Sequence, residues 1–473
     1  MHMKKYIYTL PLLATLSAQA TLTPTIERGD KNIYFNSPGG IQEVCVIPKH
    51  YPDAKYSKKD LKTEEKLCSL SFYDLSTAEQ QEGKSAVAIC AKLNSTNPGI
   101  NIFETTNVLS KQEIEAKDCS EENFKKLGKN IKLDKIGKYK NSTSCSYTPS
   151  IIGYYHVSRI LGGIGRVPPS VLRSMNLQTH LKIAQQGTDK TQSGALINQT
   201  WSSLKSFLTA GLGSSKKDIL LSDDGKQSYG AITTNPKKEE FYGDFFTKDK
   251  ENRAVAFRDR NPLFQKLRDQ RSISQLVKPE WNQTNIQFFM QLNDMTEFIL
   301  LDHLLDQQDR FGNIAYQDKY IYIKHDKDDA NDIKAEFDGL KLEDYKTDLA
   351  DGLVVTGFSP LKIKSMIMKD NDCGVSKTNV VKQAELLKYV AHMNPKTYHK
   401  LLEFQQSIRN NQKFFTSNLM FTAVDFKELV ANVDDAVQIL KTNCKSGALK
   451  LDLNLKKYFT TGKASNGSCE LEE

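Results

Sequence analysis

The sequence predicts an α+β protein with a β-rich amino-terminal lobe, a mainly helical carboxy-terminal lobe and disulfide bonds. Between about residues 30 and 110, short β-branched or aromatic runs alternate with turn signals such as Gly39-Gly40 and Asn97-Pro98-Gly99. From Ile286 to Leu305, apolar residues recur every three or four positions, which predicts a helix. Helical spacing returns after Gly374 and continues to about Cys444. A strand-rich half followed by a helix-rich half is typical of an α+β fold.

The first twenty residues have the three parts of a secretory signal peptide. Lys4 and Lys5 form a basic start, an apolar stretch runs from Tyr6 to Leu16, and Ala18-Gln19-Ala20 provides a cleavage site. We therefore predict cleavage after Ala20 and a secreted or periplasmic chain. No later apolar run approaches the ~20 residues that a membrane span needs.

The remaining chain divides into two predicted lobes, residues 21–235 and residues 236–473. A length of 473 residues with 39% hydrophobic residues suits two or three domains or one large bilobal unit. The net charge of +8 includes the two signal lysines and is modest for this length. We therefore expect no nucleic-acid partner, and the sequence leaves the oligomeric state open.

The cysteines predict disulfide bonds rather than a zinc site. They are Cys45, Cys68, Cys90, Cys119, Cys145, Cys373, Cys444 and Cys469. An even number in an exported chain favours disulfides, and no CxxC pair is present. Five cysteines precede residue 150 and three follow residue 370. Either at least one bond joins the two groups or each group keeps a free thiol.

Other elements follow in chain order. Residues 106–148 are lysine-rich with weak helical segments, and Ser150–Leu161 has helical spacing that ends at Gly162-Gly163. The next segment, residues 166–169, is extended because each of its prolines disfavours helix at the preceding residue. A hairpin is predicted near residues 229–234. The later helices are predicted at Lys382–Met393, Pro395–Ile408 and Ala423–Lys441.

A basic cluster precedes the long helix. It consists of Arg253, Arg258, Arg260, Lys266, Arg268 and Arg271. Asp259 and Asp269 neutralise part of its charge. The cluster is either a solvated helix face or a docking surface for an acidic substrate or a phosphate.

Acidic and amide residues follow two of the apolar segments. Asp309 and Asn313 come just after the long helix, and Asp370 and Asp372 follow the strand-like run at residues 362–368. Neighbouring carboxylates repel each other unless a cation neutralises them, so Mg or Mn is a reasonable partner. The set suits a phosphotransferase in which Asp309 orients and deprotonates a hydroxyl. The other three residues would hold the metal ion on nucleotide phosphates. Ordinary surface turns are the alternative.

Several blocks of the chain resemble the Fam20-type secretory-pathway kinases. His156-Val157-Ser158-Arg159-Ile160-Leu161, followed by Arg166-Val167-Pro168-Pro169, is similar to that family's F-H-L-D-R-I-L-like helix end and its R-V-P-P string. Asp309-Arg310 resembles the catalytic D-R-H, and Asp370-Asn371-Asp372-Cys373-Gly374 resembles the metal-binding D-N-G-R-G. The resemblance implies a bilobal atypical kinase-like fold with disulfides. It also implies that Asp309 is the catalytic acid–base and that Asp370 is a metal ligand.

The chain departs from the family's pattern at two positions. Phe311 stands where the family has His. The family's helix also carries a Glu that pairs with the nucleotide-binding lysine, and this position falls on Ile151 here. Losing that pair would weaken the electrostatic clamp on the phosphates. A pseudokinase that acts as a binding or allosteric partner is therefore the second interpretation.

The nucleotide-binding lysine is assigned to Lys92. It ends a strand-like run with the pattern V-A-I-x-x-K. Glu104, on the strand that returns after the next turn, is the candidate partner acid. The alternative is an exposed lysine on an edge strand. A glycine-rich phosphate loop is not identified, and Ser37-Pro38-Gly39-Gly40 is the candidate for it.

Residues and resemblance together predict a secreted atypical kinase. It would transfer a phosphoryl group from ATP or another nucleotide to a protein or glycan hydroxyl, with Mg or Mn. A pseudokinase and a kinase-fold nucleotidyltransferase are the alternatives. The short lysine-led signal is typical of a bacterial chain. Because ATP is scarce outside cells, such a protein would act in a host as an effector or use another phosphate donor.

Overall fold

A computed structural model of the chain describes residues 29–106, 109–246, 252–325, 333–336, 342–375 and 377–471. The predicted signal peptide lies outside the described residues. The strands are β1 Gly29–Ser37, β2 Ile41–Pro48, β3 Leu70–Ser71, β4 Ser85–Ala91, β5 Ile100–Glu104, β6 Lys135–Asn141, β7 Ser170–Asn176, β8 Gln227–Thr234, β9 Glu240–Phe241, β10 Ile314–His325, β11 Ile333–Glu336 and β12 Leu361–Met368. The helices are α1 Lys58–Cys68, α2 Thr77–Gln81, α3 Lys111–Glu115, α4 Glu121–Lys125, α5 Thr148–Ile160, α6 Leu177–Asp189, α7 Leu196–Ala210, α8 Lys217–Leu220, α9 Arg253–Arg260, α10 Pro262–Leu267, α11 Ile273–Leu276, α12 Gln283–Leu304, α13 Leu342–Ala350, α14 Val380–Gln383, α15 Pro395–Ser407, α16 Ala423–Lys445 and α17 Leu455–Thr461.

An eight-stranded sheet dominates the amino-terminal lobe. Its strand order is β1-β2-β7-β8-β6-β5-β4-β3, and β3 and β4 form its parallel pair. Helices α6 and α7 pack on the face of the sheet toward which Tyr139 points, with Trp201 of α7 completely buried in that core. Because strand side chains alternate between faces, Lys138 and Lys140 of β6 point to the opposite side. That side faces the carboxy-terminal lobe.

The packing of α6 against α7 depends on the glycine at position 187. A Cβ atom placed there would lie 2.2 Å from Cδ2 of Trp201, far inside van der Waals contact. We expect Gly187→Ala to lower the free energy of unfolding by about 1–3 kcal/mol, as overpacked cores do. Urea denaturation measures this. Gly213→Ala is the matched control, because the new methyl group has open space around it. Gly128→Ala would not serve, because Gly128 has a positive φ of 74°. A loss as large for Gly213→Ala would contradict the packing argument.

One hydrophobic core is built from residues of both lobes. Helix α5 lies at the centre of this core, and all of its residues are buried. A helix without a polar face is usually buried on all sides. Helix α12 confirms the predicted long helix, and Asn282 caps it by accepting the backbone N–H of Asn285 at 3.0 Å. A smaller sheet, with the order β11-β10-β12 and with β9 beside β10, follows in the carboxy-terminal lobe. The predicted α+β class with a β-rich first lobe and a helical second lobe is confirmed.

Three local predictions differ from the structure. The lysine-rich segment contains two short helices, α3 and α4, but ends in strand β6. Residues 229–234 belong to the single strand β8, which pairs with β6 and β7 rather than forming a hairpin. The helix predicted at residues 382–393 is interrupted, because Glu385 has a φ of 55° that no α-helix accommodates.

Four disulfide bonds use all eight cysteines. They join Cys45 to Cys68, Cys90 to Cys119, Cys145 to Cys373, and Cys444 to Cys469. Three of them close segments of 23 to 29 residues, whereas the bond between Cys145 and Cys373 spans 228 residues. The expected link between the two cysteine groups is therefore confirmed. In the part of the chain that the structure describes, no helix has the length and apolarity of a transmembrane span.

Candidate active site

Asp309 lies on the loop that follows α12. Its backbone N–H donates to Oε1 of Gln307 at 3.0 Å, and the side-chain amide of Asn313 donates to the main-chain oxygen of Asp309 at 2.8 Å. Asn313 therefore stabilises the loop that presents Asp309. The carboxylate is exposed in a cleft of about 450 Å³ whose lining also includes Arg253 and Gln383. We call this the Asp309 cleft.

The surroundings of Asp309 make it a better base than an ordinary aspartate. Partial desolvation in the cleft raises the pKa of Asp309, the guanidinium of Arg253 opposes this rise, and the charge of Asp372 adds to it. A carboxylate with a raised pKa suits proton transfer from a hydroxyl.

Arg310 joins the Asp309 loop to the turn that carries Asp370 and Asp372. This guanidinium is fully buried. Its Nε and Nη2 donate to the two carboxylate oxygens of Asp302 at 2.8 and 3.0 Å. Its remaining hydrogen bonds go to the main-chain oxygen of Lys369 at 2.9 Å and to Oδ1 of Asn371 at 2.6 Å. The two segments are thus fixed relative to each other through one side chain.

The turn after β12 faces a group of lysines. Nζ of Lys140 lies 2.7 Å from Oδ1 of Asp372 and 3.5 Å from Oδ1 of Asp370, and Nζ of Lys138 lies 3.9 Å from Asp370. Burial alone would raise the pKa of Asp370, but Lys140, Lys138, Lys92 and Lys369 together hold it well below its usual range. Burial and the charge of Lys140 lower the pKa of Lys92 to about 8. We call this region the lysine cleft.

Lys138 and Lys140 were not predicted from the sequence. They alternate along β6, directly before α5, in the run Lys135-Ile136-Gly137-Lys138-Tyr139-Lys140. Because weak helical segments were predicted in this region, the recurrence of lysine at every second residue was not interpreted as a β-strand. A strand reading would have placed both lysines on one face, next to the block that resembles the kinase family.

The predicted pair of Lys92 and Glu104 does not form. Lys92 follows β4 and is half-buried beside the lysine cleft. Glu104 lies opposite Val87 at the other end of the β4–β5 ladder and forms an ion pair with Lys66 at 3.9 Å. The candidate phosphate loop at residues 37–40 joins β1 to β2, at the edge of the sheet that is farthest from β4 and β3. It does not line the lysine cleft.

Ile151 lines the lysine cleft, as its position in the motif suggested. Val167, Pro168 and Thr233 line the same cleft, and its free volume is about 30 Å³. The β4–β5 connection contacts one wall of this cleft, since the amide nitrogen of Asn97 reaches Oδ2 of Asp372 at 3.5 Å. A ligand much larger than a water molecule would fit only if lining side chains moved outward.

The acids fit a metal ion that arrives together with a nucleotide. Among the described residues, no group of three or more His, Cys, Asp or Glu side chains is placed to hold a metal by itself. Phosphotransferases bind magnesium through one or two carboxylates, with phosphates and waters completing the shell. Asp370, whose side chain is 25% exposed, supplies such a carboxylate, whereas that of Asp372 is 2% exposed and paired with Lys140. Asn313, the third predicted ligand, belongs to the Asp309 loop and does not line the lysine cleft.

The predicted basic cluster is dispersed. Arg253 lines the Asp309 cleft and donates to the main-chain oxygen of Phe311 at 3.0 Å. Arg258 pairs with Asp259 at 2.7 Å and Arg271 with Asp269 at 2.7 Å. Of the six basic residues, Arg253 is the one that lines the Asp309 cleft.

Comparisons with known proteins found matches among solved structures. No protein-family model matches the chain, and no curated protein matches it. The chain is similar to the Golgi casein kinase. The crystal structure of that kinase with Mn/ADP bound shares 12% sequence identity with this chain. The match covers 87% of this chain and 83% of that chain, with a TM-score of 0.38. A second crystal structure of the Golgi casein kinase shares 11% identity over 86% and 82% of the two chains, with a TM-score of 0.37.

Proposed function

We propose that the protein transfers a phosphoryl group from a nucleotide to a hydroxyl of a protein or glycan. One observation carries this proposal. Arg310 fixes an exposed aspartate, in a cleft large enough for an acceptor, beside a second cleft with four lysines around Asp370. Phosphoryl transfer needs positioning and charge rather than a covalent intermediate, and these two clefts supply both.

Each residue has a distinct task in this reaction. Asp309 accepts a hydrogen bond from the acceptor hydroxyl and takes its proton as the oxygen attacks the terminal phosphorus. The bond from that phosphorus to the bridging oxygen breaks, and the nucleoside diphosphate leaves with the electron pair. Lys138 and Lys140 neutralise the phosphate oxygens during transfer, because ammonium groups in a water-poor cleft stabilise that charge strongly.

A Mg or Mn ion would supply further neutralisation of the phosphates when bound. Asp370 would hold it, since its side chain is 25% exposed in the lysine cleft. We also propose that the protein works outside the cytosol, because four disulfide bonds form and persist in oxidising compartments.

Intact-mass analysis tests the proposed reaction directly. The purified protein is incubated with ATP, Mn and a panel of acceptor proteins and glycans, beside Asp370→Ala. A phosphate added to an acceptor by the wild-type protein and not by the variant supports the proposal. A nucleotide adduct would identify a nucleotidyltransferase instead, and equal phosphate incorporation by both proteins would refute the assignment.

The pH profile of transfer should report Asp309. Because the pKa of Asp309 is raised, kcat/KM should fall on the acid side at a pH above that of an ordinary aspartate, ~3.9. Arg253 lowers this pKa, so Arg253→Ala should move the acid limb to higher pH. Arg271→Ala, which removes a charge paired with Asp269, is the matched control and should leave the limb in place. A limb that Arg253→Ala does not move would exclude Asp309 as the titrating base.

A pseudokinase is the second candidate. The observations in its favour are Ile151 in place of the helix acid and the free volume of about 30 Å³ in the lysine cleft. This reading expects ATP to raise the melting temperature without any turnover. Thermal melting with ATP, beside the transfer assay, separates the two functions.

A further inference from the structure

Lys140 and Asp372 form a buried ion pair, which the prediction of Asp372 as a metal ligand does not explain. The side chains of Lys140 and Asp372 are 6% and 2% exposed, whereas that of Asp370 is 25% exposed. Asp372 also accepts the amide N–H of Asn97 from the β4–β5 connection. Of the two acids, Asp370 is therefore the one that a metal ion can reach.

We propose that Asp372 is the positioning residue of Lys140 and performs the task of the acid that α5 lacks. The inference rests on the proposed function. Ile151 lines the same cleft as Lys140 but carries no charge to orient it. The carboxylate comes from the turn after β12 instead, at 2.7 Å from the ammonium group.

The turn is docked on the start of α5, where the missing acid would have been. The backbone N–H of Tyr147 donates to the main-chain oxygen of Asp372 at 2.8 Å. Oγ of Ser150 donates to the main-chain oxygen of Asn371 at 2.6 Å and accepts the N–H of Gly374 at 3.1 Å. These bonds hold Asp372 at a fixed distance from strand β6.

The bond between Cys145 and Cys373 completes this attachment. Cys373 follows Asp372 directly, and Cys145 lies between Lys140 and α5. The amide of Asn97 lies 3.1 and 3.2 Å from the two sulfurs. The disulfide thus ties the segment that carries the lysine to the segment that carries its acid.

The proposal predicts that the loss of Asp372 and the loss of Asp370 affect binding differently. Loss of Asp372 should weaken nucleotide binding because Lys140 is no longer aimed at the phosphates. Loss of Asp370 should raise the Mn concentration needed for binding. A charge-assisted hydrogen bond of this kind corresponds to about a tenfold or larger change in ATP affinity.

Isothermal titration calorimetry of the full chain with ATP, at a series of Mn concentrations, tests this division. We expect Asp372→Asn to raise the Kd for ATP about tenfold or more and to leave the Mn dependence unchanged. Asp370→Asn should instead change the Mn dependence and leave the Kd for ATP near its wild-type value. An Asp372→Asn variant that changes the Mn dependence and not the ATP affinity would overturn the proposal. A wild-type protein that binds no ATP would overturn the proposed function as well.

Two further experiments separate positioning from folding. Ile151→Glu restores an acid on α5, so in the Asp372→Asn background it should recover most of the lost ATP affinity. A folded double variant with no recovery contradicts the proposal. The pair Cys145→Ser and Cys373→Ser should weaken ATP binding, whereas Cys444→Ser and Cys469→Ser, which remove a bond distant in sequence from the cleft, should not. Equal ATP affinities in these two variants would also count against it.

Discussion

Asp309→Asn should lower kcat for phosphoryl transfer by about a thousandfold, within the 10²–10⁴ range of general-base catalysis. Asparagine keeps the size and hydrogen-bonding ability of the side chain but takes no proton from a hydroxyl. The backbone contacts of the loop, from Gln307 and Asn313, remain available. The Kd for ATP should therefore stay near its wild-type value. Single-turnover kinetics and calorimetry measure the two quantities separately.

Asp259→Asn is the matched control for this variant. Asp259 lies on α9, is exposed, and pairs with the neighbouring Arg258. Its replacement should leave kcat within the error of the measurement. If Asp309→Asn retained wild-type kcat, or lost ATP binding in proportion to activity, Asp309 would not be the base.

Arg310→Leu should lower the free energy of unfolding by about 3–5 kcal/mol, which is typical of breaking a buried ion pair. The change leaves the carboxylate of Asp302 buried with a single remaining donor, the hydroxyl of Tyr154 at 2.7 Å. It also removes the bonds to Lys369 and Asn371 that connect the two functional loops. Urea denaturation measures the loss.

Arg409→Leu provides the surface comparison. Arg409 is 54% exposed in its ion pair with Asp434, so its loss should cost no more than about 1 kcal/mol. In a double variant, Asp302→Leu with Arg310→Met, no charge remains unpaired and part of the stability should return. A single Arg310→Leu variant as stable as Arg409→Leu would show that Arg310 does not hold the loops together.

Much of the carboxy-terminal half was readable because its signals are local. The periodicity of α12 and the acids after two apolar segments depend on neighbouring residues only. Asp309 and Asp370 were therefore predicted from spacing and from the family resemblance, and the structure brings their loops together through Arg310.

The lysines of the lysine cleft were harder to predict because their positions depend on pairing between distant segments. Lys92 had a local pattern in its favour. Lys140 is defined by the position of β6 beside β5 and β8 and by its contact with Asp372, 232 residues away. No pattern near Lys140 in the sequence predicts that contact. The same reason explains why the disulfide pairing stayed open.

The long disulfide also sets an order for maturation. Cys145 leaves the ribosome long before its partner, whereas Cys45, Cys68, Cys90 and Cys119 meet theirs within 29 residues. In an oxidising compartment, Cys145 must stay reduced, or exchange out of a temporary bond, until 228 further residues have followed. The lysine cleft therefore becomes complete only after the helical lobe has arrived. Newly made chains with an intact amino-terminal sheet would still lack this attachment until Cys373 is oxidised.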